Sequence, residues 1–214
     1  MKAHIFDMDG TLLDSMGIWQ HIDQDFLAGR GIAIPPNYED YVEQTIPLSP
    51  RESAAYAIKF FNLKESVDEV IEEWYSIAET AYKGSIVLKP GAYDYLKKLR
   101  AKGAKMAIAT SSPRILCIPA LKNHGILDFF DAVCLSEEVG VGKIKPDVFL
   151  QAAERIGADP KDCIVYEDSL TAIKTAKSVG MTVYAVYDLT SDKNWKEIEQ
   201  VADGLIYDFG TLAV

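Results

Sequence analysis

Ala3-His4-Ile5-Phe6-Asp7-Met8-Asp9-Gly10-Thr11 opens the chain with a short apolar run that collides with two acids, a glycine and a hydroxyl. Such a run reads as a buried strand that ends in a polar turn. Working outward, the chain beyond Pro90 alternates between helix and strand. The pattern predicts helices over 92–101, 115–124, 147–156 and 170–179 and apolar strands over 104–109, 132–135, 164–166 and 182–186. Strands of this kind, separated by helices, imply right-handed crossovers and a parallel sheet buried on both faces.

Between the first strand and Pro90 the pattern is helical, with no clear strand. Ser49-Pro50-Arg51-Glu52 and Ser66-Val67-Asp68-Glu69 are capping boxes, in which a serine and a glutamate satisfy each other's orphan amides. Val67, Val70, Ile71, Trp74, Ala78, Ala81 and Tyr82 follow at helical spacing, and Gly84 is expected to stop that helix. The chain is therefore expected to fold as an α/β core over residues 1–15 and 88–214, interrupted by an all-helical insert over 16–87.

Composition sets the outer limits. The 214 residues are 49% hydrophobic and 25% charged, which is ordinary for a protein with a real core. Twenty-two basic against 32 acidic side chains leave a net charge of -10 and no basic stripe, so nucleic acid is excluded as a partner. Cys117, Cys134 and Cys163 are scattered and odd in number, which suits reduced thiols. The N-terminus does not resemble a signal peptide, and no apolar run reaches the roughly 18 residues of a membrane span. A soluble cytoplasmic monomer is expected.

In open parallel sheets, functional groups collect at the carboxyl ends of the strands. Here these ends carry Asp7 and Asp9, then Thr110, Ser111 and Ser112, then Glu167 and Asp168, while Lys143 lies in a loop before a helix. Taken singly, each is an ordinary turn, helix-start or surface residue. Together they form a cluster of acids that needs a positive partner. Hard oxygen ligands without histidine or cysteine point to Mg2+, and phosphate is its natural co-ligand. A lysine and a hydroxyl remain to hold the other phosphoryl oxygens, so the pattern reads as phosphoryl transfer.

The sequences DMDGT, AIAT, GKIKPDVF and YEDS resemble the four motifs of the haloacid dehalogenase superfamily of phosphohydrolases. The helical insert, Lys89-Pro90-Gly91 and PDVF are similar to its β-phosphoglucomutase-like phosphatase branch. The resemblance implies a Rossmann-like core with a helical cap, and a magnesium-dependent phosphatase acting on a small phosphorylated metabolite such as a sugar phosphate. It assigns Asp7 as nucleophile, Asp9 as acid/base and main-chain metal ligand, and Thr110, Ser111 and Lys143 as phosphate-binding groups. Asp168, with Glu167 beside it, completes the metal shell. Counting back from Pro146-Asp147 selects Lys143; Lys145, followed directly by a proline, is its rival. Arg51 lies near where related mutases place a phosphate-gripping cap arginine, and it also reads as a surface arginine.

Two other functions compete. A hexose-phosphate mutase of this branch typically presents a histidine where Trp19 stands, and a non-catalytic phosphate sensor would not need both Asp7 and Asp9. His4, His21 and His124 carry no expected chemistry, and His124 suits an imidazolium at a helix C-terminus. Trp19, Trp74 and the insert tyrosines read as bundle core. If the insert is a lid, its hinges are expected at Asp14 to Met16 and Ile86 to Lys89.

Overall fold

A computed structural model of the chain describes residues 2–45 and 48–213, with all their side chains except those of Trp19 and Gln20. The Trp19 reading therefore lies outside the described residues. Strand β1 (Ala3–Phe6) is followed by four helices, α1 (Met16–Ala28), α2 (Tyr38–Thr45), α3 (Pro50–Phe61) and α4 (Val67–Gly84). The chain then alternates through α5 (Ala92–Ala101), β2 (Met106–Thr110), α6 (Arg114–Asn123), β3 (Ala132–Leu135), α7 (Ser136–Val139), α8 (Asp147–Arg155), β4 (Cys163–Glu167), α9 (Leu170–Ser178), β5 (Thr182–Val186), α10 (Trp195–Val201) and β6 (Gly204–Ile206).

All six strands are parallel, in the order β3-β2-β1-β4-β5-β6. Alternate residues serve opposite faces. Phe6, Met106, Ile108 and Tyr166 pack with α5, α6 and the inserted helices, whereas Ile5, Ala107, Ala109 and Val165 pack with α8, α9 and α10. This double burial explains why the strands are continuously apolar. The chain runs outward from β1 on one side and returns on the other, so the ends of β1, β2 and β4 flank a topological switch point.

Both capping boxes form: the hydroxyls of Ser49 and Ser66 accept the amides of Glu52 and Glu69, whose carboxylates accept the serine amides. Gly84, expected just past α4, is instead its last residue and does not have a positive φ. The exposed carbonyls of that helix end are met by Asn123 of α6, whose side-chain nitrogen donates to the Lys83 carbonyl at 2.8 Å, so no left-handed glycine is needed. Gly91, with φ 72°, starts α5 where a Cβ would lie 2.0 Å from the Gly210 nitrogen.

The two expected hinge segments are bonded to each other. Asp14 donates its amide to the Val87 carbonyl at 2.9 Å and Lys89 to the Leu12 carbonyl at 2.8 Å, and Leu13 and Leu88 form an antiparallel bridge. Apolar packing runs without a break from Phe6 and Met8 into Phe26, Tyr41, Trp74 and Tyr82 of the inserted helices. The three cysteines are free and buried. Among the described residues, no helix is long and apolar enough to cross a membrane.

Candidate active site

Asp7 directly continues β1, its amide donating to the Tyr166 carbonyl at 2.9 Å, so its carboxyl emerges beside the end of β4. The turn beyond it requires glycine: Gly10 has φ 79°, and a Cβ there would meet Asp168 Oδ2 at 2.5 Å. The backbone can therefore bring Asp7 and Asp168 into one pocket. Both are buried, as are Glu167 and Thr110.

Lys143 reaches in from the loop before α8 and donates to Asp7 Oδ1 and, at 2.7 Å, to Glu167 Oε2. Lys145 is exposed. The structure thus brings Lys143, and not Lys145, against Asp7. Thr110 Oγ1 accepts the Ser112 amide at 3.0 Å, and Ser111 Oγ lies 3.3 Å from Ser136 Oγ. Thr11 donates to Asp168 Oδ1 at 2.9 Å.

Asp9 has a different environment. Ser15 and Tyr82 donate to its Oδ1 at 2.6 and 2.5 Å, and Ser112 donates to its Oδ2. Ser15 precedes α1 but makes no side-chain cap for that helix, because its hydroxyl is turned to Asp9 instead. Sequence reasoning missed Ser15 and Tyr82 as site residues and gave Ser112 no role toward Asp9. Ser15 resembles a helix cap, and Tyr82 sits at core spacing in α4.

The electrostatics follow from four carboxyls gathered about the Lys143 ammonium in a buried space, with the Lys89–Asp188 ion pair beside them. Burial first, and then the neighbouring Glu167, push the Asp7 carboxyl above its ordinary range against the pull of Lys143. Burial and the Asp7 charge raise Asp9, while its three hydroxyl donors oppose that rise. Asp168 is raised by burial and by the charges of Glu167, Asp7 and Asp188. Burial would lower Lys143, but Asp7 and Glu167 outweigh it and hold the ammonium well above its usual value. Like charges desolvated together are unstable without a counter-ion.

Asp7, Glu167 and Asp168 each offer one oxygen within 4.8 Å of the other two. This buried all-oxygen set fits a hard divalent cation. The Asp9 side chain is not part of it; the contribution expected of Asp9 is through its main-chain carbonyl.

The structure leaves Arg51 outside this group. It is exposed in the first turn of α3 and pairs with Asp68 at 2.6 Å. Trp74 is core, as expected. His124 ends α6, but burial lowers its imidazole against a hydrogen bond to the Ile86 backbone, so the imidazolium expected from the helix dipole is not favoured. His21 bonds the Gly17 carbonyl in its own helix.

Comparison with known proteins identifies the family. The family model for haloacid dehalogenase-like hydrolases matches residues 1–180. The chain is 30% identical over 206 residues to a bifunctional riboflavin kinase/FMN phosphatase of Arabidopsis thaliana, covering 94% of this chain but 53% of that protein, so it spans about half of that relative. It is 27% identical over 196 residues to a phosphorylated carbohydrates phosphatase of Thermotoga maritima, covering 90% of this chain and 88% of that one. A crystal structure of a CbbY variant from Rhodobacter sphaeroides with xylulose 1,5-bisphosphate shares the fold, with a TM-score of 0.87 at 20% identity, over 100% of this chain and 96% of that one. With the motif residues gathered on the carboxyl rim of a parallel sheet and the family model spanning most of the core, the chain belongs to the haloacid dehalogenase-like hydrolases, as a phosphoric monoester hydrolase.

Proposed function

We propose that this protein is a magnesium-dependent phosphatase that hydrolyses a small phosphate monoester, of the sugar-phosphate kind, through an aspartyl-phosphate intermediate on Asp7. The observation that carries this reading is the unequal treatment of two neighbouring carboxyls. Asp7 is held by an ammonium beside a metal-competent acid set, and Asp9 is held by three hydroxyls. One environment suits a nucleophile facing a phosphate, and the other suits a group that exchanges a proton.

In the first step Asp7 attacks phosphorus, the ester P–O bond breaks, and the Asp9 carboxyl gives its proton to the leaving oxygen. In the second, the Asp9 carboxylate takes a proton from water, whose oxygen attacks the phosphorus of the aspartyl phosphate. Inorganic phosphate leaves and Asp7 is restored. Lys143 keeps the Asp7 carboxylate oriented, and in this reading Thr110 and Ser111 donate to phosphoryl oxygens. Asp7, Asp168 and the Asp9 main-chain carbonyl would hold magnesium, with Glu167 beside them. When bound, the ion offsets the surplus negative charge and the charge on the phosphoryl oxygens.

The inserted helices, over about 16–87, serve in this reading as a cap that excludes bulk water and chooses the acceptor. The relatives named for phosphorylated carbohydrates and FMN favour water over a second sugar phosphate as acceptor. Three buried free thiols suit a reducing compartment, and we place the reaction in the cytoplasm.

Phosphate release from a panel of sugar, polyol and nucleoside phosphates, with magnesium or with chelator, tests the reading. Magnesium-dependent release from a subset of the sugar or polyol esters is expected. Isomerisation of a hexose phosphate without phosphate release would establish a mutase, and release undiminished by chelator would overturn the metal assignment.

A further inference from the structure

Asp9 is held from both parts of the molecule. Ser15 and Ser112 reach it from the core side of the chain, but Tyr82 comes from the last turn of α4, 73 residues away in sequence. The Tyr82 ring is buried at 2% exposure, so packing fixes where its hydroxyl points. The backbone carrying it is fixed as well. Asn123 of α6 donates to the Lys83 carbonyl at 2.8 Å and to the Tyr82 carbonyl at 3.4 Å, at the one end of α4 that faces the core.

We propose that Tyr82 is a positioning residue for the acid/base: the seating of α4 on α6 delivers the phenolic hydroxyl that holds the Asp9 carboxyl in line with the leaving oxygen. Proton transfer is sensitive to small displacements, because the donor must lie within hydrogen-bond reach of the atom it protonates. Ser15 and Ser112 approach different oxygens of the carboxyl. Without Tyr82, Oδ1 keeps the Ser15 bond and Oδ2 the Ser112 bond, so the carboxyl stays held but loses the donor that comes from the inserted helices. The inserted helices would then contribute a group that orients the chemistry, in addition to covering it.

This inference rests on the reading of Asp9 as acid/base, and a leaving-group series separates the two. The Tyr82→Phe variant keeps the ring and removes the hydroxyl. Its kcat/KM for alkyl phosphates is expected to fall about tenfold, the rate equivalent of one hydrogen bond to a charged group, with KM little changed. For p-nitrophenyl phosphate, whose leaving group needs less protonation, the loss should shrink to about twofold or less. Asp9→Asn, run on the same series, should show the same trend more steeply. If Asp9→Asn loses activity equally across the series, the acid/base reading itself fails. If Asp9→Asn shows the trend while Tyr82→Phe shows a uniform loss or none, Asp9 stands and the Tyr82 inference is overturned. Should Tyr82→Phe fail to fold, Asn123→Ala loosens the seat of α4 without touching Asp9. A milder loss with the same leaving-group trend supports the inference, and a uniform loss or none rejects it.

Discussion

Strand β1 contributes to two buried polar clusters, and they differ in how their charge is balanced. Toward its start, His4 shares a 2.9 Å hydrogen bond with the Tyr166 hydroxyl, which in turn lies 2.7 Å from the Tyr95 hydroxyl. The Phe6 and Tyr166 rings stack at 4.2 Å. Every member of that cluster is neutral, and burial pulls the His4 imidazole down to about 4, which keeps it so. Three residues later, Asp7 enters a cluster of four carboxyls and one lysine whose charges do not cancel. Polar groups satisfied by neutral partners specify a fold. A buried surplus of charge instead implies that something from outside must complete it.

Substitutions in the two clusters should therefore act on different quantities. Asp7→Asn should reduce turnover by on the order of 10⁴-fold while the protein still folds, because the amide has nearly the same shape but is a poor nucleophile. Near-normal activity with an unchanged circular dichroism spectrum would erase the distinction. Asp9→Asn should lower kcat by about 10² to 10⁴-fold on alkyl phosphates, and by less on esters with good leaving groups. Asp168→Asn should raise the magnesium concentration for half-maximal activity by about tenfold or more, the loss of one charged ligand in a metal site. A magnesium titration that superimposes on the wild type would remove Asp168 from the metal set.

The neutral cluster should affect stability and leave turnover alone. Burial lowers the His4 imidazole from its ordinary 6.5 to about 4 in the folded protein. Its folded value is lowered, so the unfolded chain binds the proton first. Stability is unaffected by this group above its ordinary value and falls as pH drops from about 6.5 toward 4, by about 3 kcal/mol at most. Denaturant midpoints of His4→Gln across that range should decline less steeply than those of the wild type, while its neutral-pH kcat is retained. Parallel pH profiles for the two proteins would mean that His4 is not the titrating group.

The core and its rim were largely readable because each signal there is local. Apolar runs mark β1, β3 and β5, and the polar residue after a run locates the strand end without knowledge of the fold. Counting back from Pro146-Asp147 selects Lys143 with Lys145 as its rival, and the approach of Lys143 to Asp7 in space separates the two. The short strand β6 and the four-residue α7 carry too few residues to show periodicity, and neither was read. The environment of Asp9 was illegible for another reason. Tyr82 and Ser112 lie 73 and 103 residues from Asp9, and nothing in their neighbours distinguishes a hydroxyl turned to a carboxylate from a core tyrosine or a loop serine. The pairing of Leu13 with Leu88 across the two linkers was illegible for the same reason, since it is likewise a long-range contact.

The central claim is that phosphate passes through Asp7. Rapid acid quench during turnover of a good substrate with magnesium, followed by borohydride reduction, converts an aspartyl phosphate to homoserine, which peptide mass spectrometry locates. Homoserine at position 7, absent without substrate and absent in Asp7→Asn, is the predicted result. Magnesium-dependent phosphate release with Asp7 unmodified at every quench time, or with the modification on another carboxylate, would contradict the account.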